Sequence, residues 1–114
     1  REAPQVLREK QISLLQEIKW ICRKHDTDVK IIISPDYLQV NINPADVKTL
    51  KRFFGKRNVF DFTGINEYTE DIHNYYEPGH YRPALGKRLM EKIYEPYILS
   101  PNAKSPASPS PGTI

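Results

Sequence analysis

Val29-Lys30-Ile31-Ile32-Ile33-Ser34 reads V-K-I-I-I-S, a short β-branched run that is mostly continuous rather than alternating. That pattern marks a strand covered on both faces, as in a parallel sheet. Ser34-Pro35-Asp36 breaks it, and Tyr37 to Ile42 alternates only weakly, as an extended loop or a small edge strand would, with the loop preferred. Asn43-Pro44 then signals a helix start, with Asn as the cap and Pro in the first turn. Asp46 adds a favourable charge near that N-terminus. Val47, Leu50, Phe53 and Phe54 form one apolar face, Lys48, Lys51 and Arg52 point away from it, and Gly55 is the stop. Val59 to Thr63 (V-F-D-F-T), closed by Gly64, is a second short strand. Strand, helix, strand in this order predicts a right-handed crossover and two parallel strands, adjacent or nearly so, in an α/β sheet.

Working outward, Gln5 to about Lys24 carries Leu7, Leu14, Leu15, Ile18, Ile21 and Cys22 on one helical stripe, with Trp20 at its edge. Arg1 to Pro4 reads as a frayed end or linker. His25 sits where a helix C-terminus favours a cation. On the other side, Ile65 to Gly79 is a long polar and aromatic connection without a clean period, a length that points to a functional loop. Pro83 opens a last helix with Leu85, Leu89, Met90, Ile93 and Tyr94 inward. The expected domain is 1–96, followed over 97–114 by a Ser/Pro-rich tail too poor in apolar residues to order itself. Two strands make too small a sheet to stand alone, so further strands are expected from a preceding segment or a second chain. The chain does not begin with Met, which fits a processed chain, an excised piece or a fragment.

With 17 Lys and Arg against 14 Asp and Glu, the net charge is +3, and the charges are interspersed along the sequence. No clustering of the kind a nucleic-acid face requires is visible, so no nucleic-acid partner is expected. No apolar run approaches the roughly 20 residues that span a bilayer. Cys22 is the single cysteine, so an internal disulfide is impossible.

The chemistry concentrates in Asn74-Tyr75-Tyr76-Glu77-Pro78-Gly79-His80-Tyr81-Arg82-Pro83. Pro78 fixes φ and Gly79 permits φ > 0, so a tight turn is expected to bring the Glu77 carboxylate beside the His80 imidazole. Such a pair is two-thirds of a catalytic triad. Ligands gather beyond the carboxyl ends of parallel strands, and this loop follows the last strand at that end. Asp71 is the fallback acid. Tyr75, Tyr76 and Tyr81 either line a substrate cleft or pack the loop down. Arg82 meets an anionic substrate or the last strand's carbonyls, or is by default an ordinary surface arginine. His73, Glu77 and His80 carry zinc-binding atom types, but their spacing fits no recognised metal motif, and no metal or other cofactor is expected. Ser34 lies at a strand end like a nucleophile. It lacks flanking glycines, and Pro35 removes the next N–H, so it is set aside.

The run N-V-F-D-F-T-G-I-N-E-Y-T, then N-Y-Y-E-P-G-H-Y-R-P and an amphipathic helix, resembles the last conserved block of the SGNH, or GDSL-type, hydrolase superfamily. It resembles in particular the envelope-associated bacterial members, some of which are acyltransferases acting on cell-surface polymers. The resemblance covers roughly Val29 to Tyr94. It implies the C-terminal half of a flavodoxin-like, three-layer α/β fold, with His80 as general base and Glu77 as its orienting acid. It also implies an ester or acylated-glycan substrate and a location in the cell envelope or periplasm. Two departures stand out. Glu77 replaces the family's Asp, and the Gly-Asp-Ser nucleophile motif and the oxyanion-hole Gly and Asn are missing from this chain. The resemblance therefore implies a serine supplied from upstream and a chain that is inactive alone. The second expectation is a non-catalytic α/β interaction module that binds through its sheet edge and tyrosine loop.

Overall fold

The structure, a computed structural model, describes residues 1–95. The tail expected over 97–114 lies outside the described residues. The elements run helix α1 (Glu9–Lys24), strand β1 (Ile31–Ile33), helix α2 (Pro44–Phe54), strand β2 (Val59–Asp61), strands β3 (Tyr75–Glu77) and β4 (His80–Tyr81), and helix α3 (Pro83–Ile93). The fold is mixed α/β. β1 and β2 pair in parallel, with Ile31 opposite Val59 and Ile33 opposite Asp61. β3 and β4 form a separate antiparallel pair, which the long connection did not reveal in sequence.

Local chemistry sets the helix ends. Asn43 caps α2 by accepting the Ala45 N–H at 2.9 Å, and Gly55 ends it at φ +88°, a backbone that favours glycine. His25 is the C-cap of α1. At the other end, α1 begins at Glu9 rather than Gln5. The N–H groups of Val6 and Leu7 donate to the Asp46 carboxylate at 2.9 and 3.1 Å, so they are pulled out of helical geometry. Asp46 is fully buried; its role is to hold the N-terminal segment as well as to charge the start of α2. Hydrogen bonds to an ionised acceptor contribute about 1.5–3 kcal/mol each, enough to outweigh one extra helical turn. Arg1 to Pro4 is correspondingly not frayed. The Ala3 N–H donates to the Asn41 carbonyl at 2.8 Å and the Asn41 N–H to the Arg1 carbonyl at 2.9 Å, forming a parallel bridge between Glu2 and Asn41.

Successive residues of β2 face opposite ways and enter two apolar clusters. Val59 packs with Leu50 and Phe54 of α2, and Leu15, Ile31 and Ile33 close that side. Phe60 packs against the other cluster, in which Phe62, Tyr68 and Tyr75 meet Leu85, Leu89 and Ile93 of α3. Phe54 and Leu85 are almost fully buried, and burial of a side chain of that size contributes about 1.5–3 kcal/mol. Met90, expected inward, is exposed. The α1 stripe divides: Leu15 joins the core, whereas Leu14, Ile18 and Ile21 lie about half exposed. The period of a helix identifies its apolar side but not whether something covers all of it.

Candidate active site

The connection after β2 is a hydrogen-bonded knot. Gly64 turns the chain at φ +86°. The fully buried Thr69 donates its hydroxyl to the Gly64 carbonyl at 2.6 Å and accepts the Asn66 N–H at 3.0 Å. The Asn66 amide in turn donates to the Phe62 carbonyl at 2.9 Å, and Gln39 Nε2 reaches the Thr69 carbonyl at 3.1 Å. This network fixes Tyr68, whose carbonyl accepts the Tyr75 hydroxyl at 2.8 Å. Burial, and then the charge of Asp36, hold the Tyr75 hydroxyl above its ordinary pKa, so it remains a donor.

From that anchor the chain enters the β3–β4 hairpin. Glu77 pairs with His80 across Pro78 and Gly79. The turn forms as expected, but Gly79 does not use a positive φ; among the described glycines that backbone belongs to Gly55 and Gly64. The Tyr37 N–H donates to the Pro78 carbonyl at 2.9 Å, and the Tyr37 and Tyr75 rings lie 5.7 Å apart. The hairpin tip is therefore tied to the chain that leaves the carboxyl end of β1.

His80 Nδ1 and Glu77 Oε1 are hydrogen-bonded. With the proton on Nδ1, the carboxylate orients the ring and Nε2 carries a free lone pair, the arrangement of a general base. Both side chains are open to solvent, at 74 % and 63 % exposure. A substrate or another chain segment can reach them, and nothing in the described residues excludes water from them.

The remaining candidates separate. Asp71 is not beside His80 but pairs with His73. Its Oδ1 accepts the His73 backbone N–H and contacts His73 Nδ1, both at 2.9 Å. Those two bonds, the backbone one first, hold the Asp71 carboxyl below the usual aspartate pKa. This second acid–histidine pair was missed. An Asp-x-His spacing at the start of a 3-10 turn is the signal that could have found it. His73, Glu77 and His80 do not converge, since each histidine has its own carboxylate. Among the described residues no three His, Cys, Asp or Glu side chains are placed to hold a metal ion.

Tyr75 is a core residue, not a cleft wall. Tyr81 is half-buried against the same core. Tyr76 is the exposed tyrosine of the three, and the Arg82 guanidinium stacks 4.3 Å above its ring. Tyr76 and Arg82 thus form an exposed cation–aromatic surface on the same hairpin as the dyad. Of the residues expected to line a site, these two are placed to meet a ligand.

Comparison with protein-family models, curated proteins and solved structures finds no match.

Proposed function

We propose that this chain is the acid–base half of an SGNH-type serine esterase or acyltransferase, acting on an ester or an acylated glycan in the cell envelope or periplasm. The carrying observation is the Glu77–His80 hydrogen bond at the tip of a hairpin tied to the carboxyl end of a parallel strand. In this reading His80 Nε2 takes the proton of a serine hydroxyl as the oxygen attacks the acyl carbon. It then returns that proton to the departing alkoxide. Glu77 keeps Nδ1 protonated and stabilises the imidazolium between the two steps. Tyr76 and Arg82 contact the substrate. The two apolar clusters on either side of β2 become the two faces of a three-layer sheet.

The serine comes from outside this chain, on an upstream segment or a second chain that also extends the sheet. The half-exposed stripe of Leu14, Ile18 and Ile21 and the exposed Ile32 of β1 support such a cover. The test is turnover of a short-chain nitrophenyl ester by the protein that includes the segment preceding Arg1. Activity that His80→Ala abolishes supports the reading. Equal activity in that variant removes it.

The same apolar stripe favours a second reading, a non-catalytic module that binds a partner through α1. A protein with the preceding segment that shows no ester turnover, yet forms a stable complex broken by Ile18→Asp, supports that reading instead.

A further inference from the structure

Four of the cations that the sequence intersperses with acids come together on one part of the surface. An open cleft of about 700 Å³ lies between α1 and the end of α2, lined by Gln16, Lys19, Trp20, Arg23, Lys24 and Phe53. Lys19 Nζ stands 5.9 Å and the Arg52 guanidinium 5.4 Å from the centre of the Phe53 ring, and Lys24 Nζ is 4.9 Å from the Trp20 ring. Lys56 and Arg57 lie exposed just after α2. None of Lys19, Arg23, Lys24 or Arg52 has a carboxylate within ion-pair distance among the described residues.

Both helices end here, and helix C-termini favour cations. Each terminus carries only about half a negative charge, so two of them offset roughly one of these four cations. A net positive potential remains over the cleft. The side chains around it present almost only donors: ammonium, guanidinium and the indole N–H, with the Gln16 amide offering both kinds of group. That selects a ligand rich in oxyanions and hydroxyls. Base stacking on successive open rings is the usual handle for single-stranded nucleic acid. Here the rings are partnered by the cations, and Phe53 is half-buried. We propose that the α1–α2 cleft binds an anionic polysaccharide, a sugar chain bearing carboxylate or phosphate groups.

The last turns of α1 and α2 precede β1 and β2, so the cleft lies toward the amino ends of the strands. The Glu77–His80 hairpin is tied to the opposite, carboxyl end. The cleft is therefore an anchoring site separate from the dyad, and the proposal stands or falls independently of the esterase reading.

Trp20 is the sole tryptophan of the chain, so its fluorescence reports this cleft directly. The experiment titrates the full chain with oligogalacturonate, following Trp20 emission, with neutral dextran oligosaccharides and oligo-dT as comparison probes. The expected result is a saturable change with oligogalacturonate that weakens about tenfold or more as salt rises to about 0.5 M, because screening shortens the reach of the cations. The Lys19→Gln/Arg23→Gln double variant should bind at least tenfold more weakly, whereas Lys87→Gln on α3 and His80→Ala should bind as the parent does. Unchanged circular dichroism verifies that the double variant is folded. If it is not, Lys24→Gln alone, at an exposed position, should still weaken binding severalfold. No saturable change, equal binding of dextran, tighter binding of oligo-dT, or loss of binding in His80→Ala would each overturn the proposal.

Discussion

The backbone N–H of Tyr37 donates to the carbonyl of Pro78 at 2.9 Å, and that bond ties the turn between Glu77 and His80 to the chain leaving β1. The Tyr37 ring reinforces it from the side, 5.7 Å from the ring of the buried Tyr75. The dyad is thus exposed, but the backbone that carries it is held from two directions. Tyr37→Ala keeps the backbone bond and removes the ring. It should cost about 2 kcal/mol of stability, below the usual loss for a fully buried aromatic. It should also speed amide exchange across β3 and β4. Wild-type exchange rates there would mean that the ring contact does not hold the hairpin.

Gly64 makes a sharper claim. Its φ is +86°, and a Cβ built on it would lie 2.0 Å from Asn41 Oδ1 and 2.9 Å from Asn41 Cγ. Gly55 has a similar φ, but its nearest neighbour to such a Cβ is Asn58 Nδ2 at 3.6 Å. Gly55→Ala should therefore cost only the backbone penalty, about 1–2 kcal/mol, and Gly64→Ala at least about 1 kcal/mol more. Asn41→Ala in the Gly64→Ala background should recover the difference, as a double-mutant cycle in urea would measure. Equal costs for the two glycine variants, or no coupling to Asn41, would show that the side chain yields freely.

Asp71 gives a pH dependence with a definite sign. The His73 backbone N–H first, and its ring second, favour the carboxylate, so the folded pKa is depressed. The stabilisation is present above the unfolded value of about 3.9 and is lost as pH falls through the lower folded value. Asp71→Asn retains an oxygen for the His73 N–H but has no charge. The wild-type advantage in melting temperature should be constant above about pH 5 and shrink below about pH 4. It should also be small, because the pair is exposed. An advantage that grows with acidification would reverse the assignment.

The parallel strands were legible because an Ile-Ile-Ile run and Val-Phe-Asp-Phe flank a well-marked helix, although Ile32 is exposed and β1 is not covered on both faces as the continuous run predicts. The α2 boundaries were legible because Asn43, Pro44 and Gly55 act locally. The Glu77–His80 pairing was legible for the same reason, since Pro78 and Gly79 confine it to four residues. Features set by distant contacts were hidden. The start of α1 depends on Asp46, about 40 residues away. Nothing near Tyr75 announces that its ring is core and its hydroxyl serves Tyr68. The β4 strand, only two residues long, gives no period to read. The basic cleft was invisible because Lys19 and Arg52 meet only when α1 packs beside α2.

Two histidines in this chain each share Nδ1 with a neighbouring carboxylate, His73 with Asp71 and His80 with Glu77, and both pairs are exposed. Pairing alone therefore does not single out the proposed base; position is what favours His80. His80 sits on the hairpin tied to the end of β1, beside the Tyr76–Arg82 surface, whereas His73 closes a 3-10 turn that Asp71 caps. In the protein that carries the proposed serine, His80→Ala should lower kcat by about 10⁴-fold, because no other group can take the serine proton. Glu77→Gln should cost less, since the base survives and only its orientation and the charge opposite the imidazolium are lost. The Asp71→Asn and His73→Ala variants should turn over ester at the parent rate. Arg82→Ala should raise KM for an anionic substrate while leaving kcat for a neutral ester unchanged, the signature of a group that binds but takes no part in proton transfer. If His73→Ala is the variant that loses activity, the base has been assigned to the wrong histidine. If Asp71→Asn and Glu77→Gln cost equally, no single carboxylate orients it.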